Sequence, residues 1–91
     1  MNKRVECVVT GRVQMVMYRD FTARSARKLG IVGTVRNCTD GSVFVVAEGE
    51  ESALSQFLLL LRKGSMLASV ECVSASWSDA TGEYTSFTIT Y

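Results

Sequence analysis

Two stripes of helical period, each bracketed by alternating runs, limit how this chain can fold. Val5-Glu6-Cys7-Val8-Val9-Thr10 is rich in β-branched residues and reads as a strand. Gly11 to Met17 reads as a loop. Tyr18, Phe21, Thr22, Ser25, Ala26 and Leu29 then recur on one face at helical spacing. Arg27 and Lys28 fall in the last turn, where cations suit the helix dipole, and Gly30 can cap the end. Ile31 to Cys38 and Ser42 to Glu48 read as two strands joined by a turn at Thr39-Asp40-Gly41. Ala53, Leu54, Phe57, Leu58 and Leu61 form a second stripe on a helix opened by Gly49-Glu50-Glu51-Ser52 and ended by Gly64. Val70 to Trp77 and Thr85 to Tyr91 alternate as strands around a turn at Ala80-Thr81-Gly82.

The order is βαββαβ with one short strand more. It predicts an α+β, ferredoxin-like α/β sandwich: an antiparallel sheet of four to five strands, two helices on one face, and the final strand lying within the sheet. With 91 residues, no proline and no linker, residues 1–91 are expected to form a single domain.

Composition removes several functions. A formal net charge of +1 argues against an extended electrostatic footprint for nucleic acid, while leaving room for a local anion pocket. The longest apolar run, Phe57 to Leu61, is too short to span a membrane, and the N-terminus lacks the apolar run of a signal peptide. A cytoplasmic monomer is expected. Cys7, Cys38 and Cys72 fit neither a disulfide framework nor a zinc motif, and read as reduced, packed thiols. The chain has no histidine, so the commonest general base and transition-metal ligand are both missing. No metal and no cofactor is expected.

The segment Gly11-Arg12-Val13-Gln14-Met15-Val16-Met17-Tyr18-Arg19 carries the chemistry. A short loop running into a helix N-terminus points several unpaired N–H groups the same way, with the positive end of the dipole behind them. An arginine at its rim adds a permanent charge with a planar fork for two oxygens.

On these residues the chain resembles the acylphosphatases. Their loop of glycine-x-valine-glutamine-glycine-valine-x-aromatic-arginine is matched at Gly11, Val13, Gln14, Val16, Tyr18 and Arg19. A second signature is matched at Leu29-Gly30-Ile31, Gly33, Val35-Arg36-Asn37 and Asp40-Gly41-Ser42-Val43, and the end pattern at Ala68-Ser69-Val70 and Phe87 to Tyr91. The resemblance implies hydrolysis of the carboxyl–phosphate bond of a small acyl phosphate, with inorganic phosphate as a product. It implies Arg19 as the phosphate-binding arginine and Asn37 as the residue orienting the attacking water. Gln14, Met15, Val16, Met17 and Tyr18 would form the phosphate-binding loop through their backbone. It also implies that a terminal carboxylate on Tyr91 holds Arg19 ready. The chemistry agrees: a carboxylate leaves without protonation, so positioning and electrostatic stabilisation can carry catalysis without a general acid.

Met15 stands where the family loop has glycine, and methionine is expected to resist the positive φ that glycine allows. Thr34 replaces an aromatic residue and is expected to thin the wall of the site; Ser65 replaces a proline and is expected to affect only its turn. Two other readings stay open. One is a degenerate acylphosphatase-like domain that binds anions or partners with little turnover because of Met15. The other is an RNA-binding module, which the near absence of aromatics on the central strands disfavours.

Overall fold

The computed structural model describes residues 2–91. The elements are β1 (Asn2–Arg12), α1 (Tyr18–Lys28), β2 (Val32–Asn37), β3 (Val43–Glu50), α2 (Glu51–Lys63), β4 (Ser69–Asp79) and β5 (Phe87–Ile89), in the sheet order β4-β1-β3-β2-β5. This is the ferredoxin-like arrangement. No helix among the described residues is long and apolar enough to cross a membrane.

Side-chain alternation puts one sheet face under the helices. Val5, Cys7 and Val9 of β1 lie opposite Ala47, Val45 and Val43 of β3, and all six are fully buried. Leu54, Phe57, Leu58 and Leu61 of α2 and Ala23 and Ala26 of α1 close the core. Each large apolar side chain buried this way contributes about 1.5–3 kcal/mol.

Three expectations change in detail. The first four strands pair antiparallel, but β5 pairs with β2 in parallel and at the sheet edge, not within it. The chain reaches β5 by crossing from the far edge strand β4, so it enters beside β2 in the same direction. β5 is also only three residues long. Arg27 of α1 fastens it there, donating from Nε and Nη2 to the Phe87 carbonyl at 3.2 and 2.9 Å.

The segment read as a loop from Gly11 instead continues β1 to Arg12, with an irregularity in the β1–β4 register between Thr10 and Gly11. Gly11 has φ 120°, and a Cβ there would strike the Ser69 carbonyl. Only glycine lets β1 turn this closely against β4 before releasing the loop.

Candidate active site

The loop after β1 is pinned from inside. Val13 and Val16 are buried, while Met15 and Met17 between and after them are 100% and 66% exposed. This alternation comes from two left-handed residues, Met15 at φ 60° and Met17 at φ 61°. Met15 thus already holds the left-handed conformation that methionine is expected to resist. The methionine bears the strain, on the order of 1–2 kcal/mol for a left-handed residue with a Cβ, instead of avoiding it.

Met17 is also the N-cap of α1, and it supplies no side-chain cap. The first bond into that helix runs from the Phe21 amide to the Met17 carbonyl at 3.1 Å. Among the described residues, the backbone amides of residues 14–20 donate to no other protein group. These free donors crowd the positive end of α1, an arrangement suited to an anion.

Side chains hold the loop over the end of the sheet. Gln14 Nε2 donates to the carbonyls of Cys38 and Ser42 at 2.7 and 2.8 Å, so its side chain, not only its backbone, builds the site. Ser65 Oγ donates to the Val16 carbonyl at 3.4 Å. Ser65 therefore does more than shape its own turn, because it ties the loop to the end of α2. Asp40 clamps the β2–β3 turn by accepting from the Ser42 amide and hydroxyl at 3.0 and 2.6 Å, bonds that hold its carboxyl below the usual range. Tyr18 is core: its hydroxyl donates to the Leu61 carbonyl at 2.8 Å, and burial raises its phenol.

Arg19 lies half-buried on the first turn of α1 and has no carboxylate partner among the described residues. Neighbouring Asp20 instead takes Arg24, Oδ2 to Nε at 3.0 Å. The Arg19 guanidinium carbon sits 5.0 Å from the centroid of the Tyr91 ring. The expected contact with a Tyr91 carboxylate is absent, and the ring takes its place. β5 ends at Ile89, opposite Val35, and the two residues after it bring the Tyr91 ring to Arg19 on the first turn of α1.

Asn37 ends β2, on the face of Val35 and below the helices. Its Oδ1 is the only buried side-chain polar atom among the described residues without a hydrogen-bond partner. A buried acceptor left unpaired costs about 1–3 kcal/mol, so it marks a place where a donor belongs. Val35 lies opposite Ile89, and continuing that parallel register brings Tyr91 beside Asn37. The Gln14 tether reaches the carbonyls either side of the turn that follows Asn37. Loop, Arg19 and Asn37 therefore lie toward one end of the sheet; a depression of about 490 Å³ there is lined by Met15, Met17, Arg19 and Tyr91 but not by Asn37.

The other candidates fall away. Cys7 is fully buried and its thiol is pushed up to about 12, first by that burial, so it is no thiolate at neutral pH. Cys38 points to the opposite face from Asn37, where Arg36 Nη1 reaches its sulfur at 3.7 Å and stacks over Phe44. Thr34 lies opposite Val46, on the helix-free face with Arg36, so it does not wall the site.

The class defined here is a small ferredoxin-like sandwich whose α1 N-terminus offers an anion cradle suited to phosphoryl chemistry. Comparison with known proteins narrows it. Residues 5–89 match the acylphosphatase family. The chain is 45% identical over 87 residues to an acylphosphatase of Salinibacter ruber, covering 96% of this chain and 92% of that one. It superposes on the crystal structure of the Bacillus subtilis acylphosphatase with a TM-score of 0.95 at 35% identity, covering 98% and 99% of the two chains. A Coxiella burnetii acylphosphatase gives 0.91 at 27% identity, covering 98% and 93%. The chain belongs to the acylphosphatase family. It is a hydrolase of small acyl phosphates and releases inorganic phosphate.

Proposed function

We propose that this hydrolysis is carried by Arg19, Asn37 and the amides of the loop from Gln14 to Tyr18, without a metal ion. The observation that carries the reading is the buried, unpartnered Asn37 Oδ1 at the end of β2, whose following turn the Gln14 side chain tethers to a loop of unpartnered amides. Phosphoryl oxygens accept from those amides and from the Arg19 fork, which spreads and stabilises the charge that develops in the transition state. A water donates to Asn37 Oδ1 and so presents its lone pair to phosphorus, opposite the acyl oxygen. The new P–O bond forms as the bond to the acyl oxygen breaks. The carboxylate leaves with its electron pair, and the water's proton passes to phosphate or solvent. A leaving group this weakly basic needs neither a general acid nor a Lewis acid. No observation favours the degenerate alternative, since Met15 already adopts the left-handed conformation that the loop requires.

Asn37→Ala separates these roles. It should keep inhibition by inorganic phosphate within about threefold while lowering kcat by roughly 10²-fold, the scale of one lost transition-state contact. Equal loss of phosphate affinity and turnover would contradict the assignment. Activity on acetyl phosphate should persist in excess chelator; loss restored by magnesium or zinc would overturn the metal-free reading. We also infer that one copy suffices, because loop, Arg19, Asn37 and Tyr91 all come from one chain. Sedimentation at assay concentration should then report a monomer.

A further inference from the structure

We propose that the face built by the turn after α2 and the loop tip beside it docks on an anionic lipid surface. Met17, Met66 and Leu67 enter the headgroup layer, and Arg12, Arg62 and Lys63 hold the lipid phosphates.

The turn carries the wrong residues for a turn in water. The Ala68 amide donates to the Ser65 carbonyl at 3.1 Å, which puts Met66 and Leu67 at its two central positions. Glycine, proline, asparagine, aspartate and serine dominate such positions. Here Met66 is 98% exposed and Leu67 63%. Ser65 Oγ donates to the Val16 carbonyl at 3.4 Å, which brings exposed Met17 to the same place. Met17, Met66 and Leu67 together line a depression of about 290 Å³. Leu59, exposed and one helical turn before Lys63, extends the patch along α2. Single apolar residues scattered over a surface need no explanation, but several gathered on adjoining tips mark a surface that something apolar covers.

The charges name the occupant. Arg62 and Lys63 end α2 just before the turn, and Arg12 lies opposite Ser69 just after it. All three are exposed and join no ion pair among the described residues. Arg24 lines the depression and holds Asp20 at 3.0 Å; exposed Glu71, flanking Gly11, is a second carboxylate at this margin. Glu50, Glu51, Asp79 and Glu83 sit at the opposite end of the sheet. A negative surface therefore attracts this end and repels the other. The apolar groups stand out from two loop tips instead of lining a closed recess, and the cations end long flexible stems. Such groups suit a diffuse negative layer better than a fixed protein partner. Apolar tips with a basic rim let a protein rest among headgroups without spanning the bilayer.

The test is co-sedimentation of the whole protein with vesicles of phosphatidylcholine alone and of phosphatidylcholine mixed with phosphatidylglycerol. Binding should be about tenfold or more stronger on the mixed vesicles. Raising the salt from about 0.05 to 0.5 M should remove most of that gain. Arg62→Ser/Lys63→Ser should weaken binding to the mixed vesicles by roughly tenfold at low salt. Met66→Ser/Leu67→Ser should also remove the binding that remains at high salt, which the charge variant keeps. Val8→Thr alters an exposed apolar group on the open face of the sheet and should change nothing. None of these residues belongs to the phosphate site, so unchanged acetyl phosphate hydrolysis and melting temperature report that each variant is folded. Equal binding to both kinds of vesicle, or binding that both double variants retain in full, would overturn the proposal. So would a wild type that fails to bind the mixed vesicles at low salt, a result that would leave a protein partner to cover the patch.

Discussion

Two polar regions lie at opposite ends of β3, and they treat their polar atoms in opposite ways. At the end near Val43, among the described residues, a row of amides and the Asn37 side-chain oxygen lack hydrogen-bond partners and Arg19 lacks a carboxylate partner. At the other end, Glu48 is 2% exposed and fully engaged. Its Oε2 accepts from Arg4 Nη1 at 2.9 Å, the Thr81 amide at 3.0 Å and the Thr81 hydroxyl at 2.8 Å, and its Oε1 accepts from the Gly82 amide at 3.1 Å. Arg4 in turn holds Glu6 at 3.0 Å and Glu83 at 3.5 Å. Burial pushes the Glu48 carboxyl up, but the bonds from Thr81, Arg4 and Gly82 outweigh it and hold it at about 2. A buried polar group that is satisfied from within serves the fold; one left unsatisfied awaits a ligand. Glu48 staples the β4–β5 connection across the open face of the sheet, whereas the loop amides at the other end donate to no protein group among the described residues.

The largest expected effect tests the open end. Arg19→Ala should lower kcat/KM on acetyl phosphate by roughly 10²–10³-fold. Arg19→Lys should recover little of this, because an ammonium lacks the two-pronged fork. Thermal stability should hardly move, since Arg19 joins no ion pair among the described residues. A large drop in melting temperature would show that Arg19 serves the fold and would erase the contrast.

The mirror experiment comes next. Glu48→Ala should cost about 3–5 kcal/mol, the scale of breaking a buried charged network from one side, while activity per folded molecule survives. Urea denaturation alongside kcat on the folded fraction checks both halves. The staple also predicts a pH dependence. The folded value of about 2 lies below the ordinary 4.5, so the fold favours the ionised form. Its contribution is whole above pH 4.5, shrinks as pH falls, and is gone below pH 2. Wild-type stability should drop through that window, and the drop should be shallower in Glu48→Gln; parallel curves for the two proteins would exclude Glu48 as the source.

Most of the fold was legible because stripes such as Leu54-Phe57-Leu58-Leu61 and alternations such as Val5-Cys7-Val9 act locally. Arg19 and the free amides were legible because a loop entering a helix announces them. The Glu48 staple was not, since its partners Arg4 and Thr81 lie 44 and 33 residues away and no local pattern links them. The Gln14 and Ser65 tethers were hidden for the same reason, at separations of 24 and 49 residues. The parallel edge position of β5 depends on where a long crossover lands, which three residues of strand cannot specify. The left-handed Met15 runs against its own propensity, and only the buried valines beside it explain the result.

Met15 gives a smaller and more pointed test. The loop already reaches the left-handed geometry, so Met15→Gly should leave kcat on acetyl phosphate within about threefold. Relief of strain should be partly offset by glycine's freedom in the unfolded chain, for a net stability gain of at most about 1 kcal/mol. A tenfold rise in kcat would show that methionine does hold the loop away from its working shape.

The smallest expected effect concerns what steadies Arg19 before phosphate arrives. The guanidinium stands over the Tyr91 ring at 5.0 Å, but that ring is 98% exposed, so water weakens the attraction. Contacts of this kind at exposed sites are worth about 0.5–1 kcal/mol. Losing the ring should therefore weaken phosphate inhibition by roughly two- to fivefold, since 1.4 kcal/mol corresponds to about tenfold in an equilibrium constant. Tyr91→Ala should show this loss and Tyr91→Phe should not, because the face of the ring does the work and the hydroxyl does not. A short extension after Tyr91 keeps the ring and moves any terminal carboxylate away, so it should leave phosphate inhibition unchanged. If the extension weakens inhibition and Tyr91→Ala does not, a carboxylate holds Arg19 in solution and the ring is a bystander. Either way Asn37→Ala should leave phosphate affinity in place if, as proposed, its unpaired oxygen holds the attacking water and not the phosphoryl group.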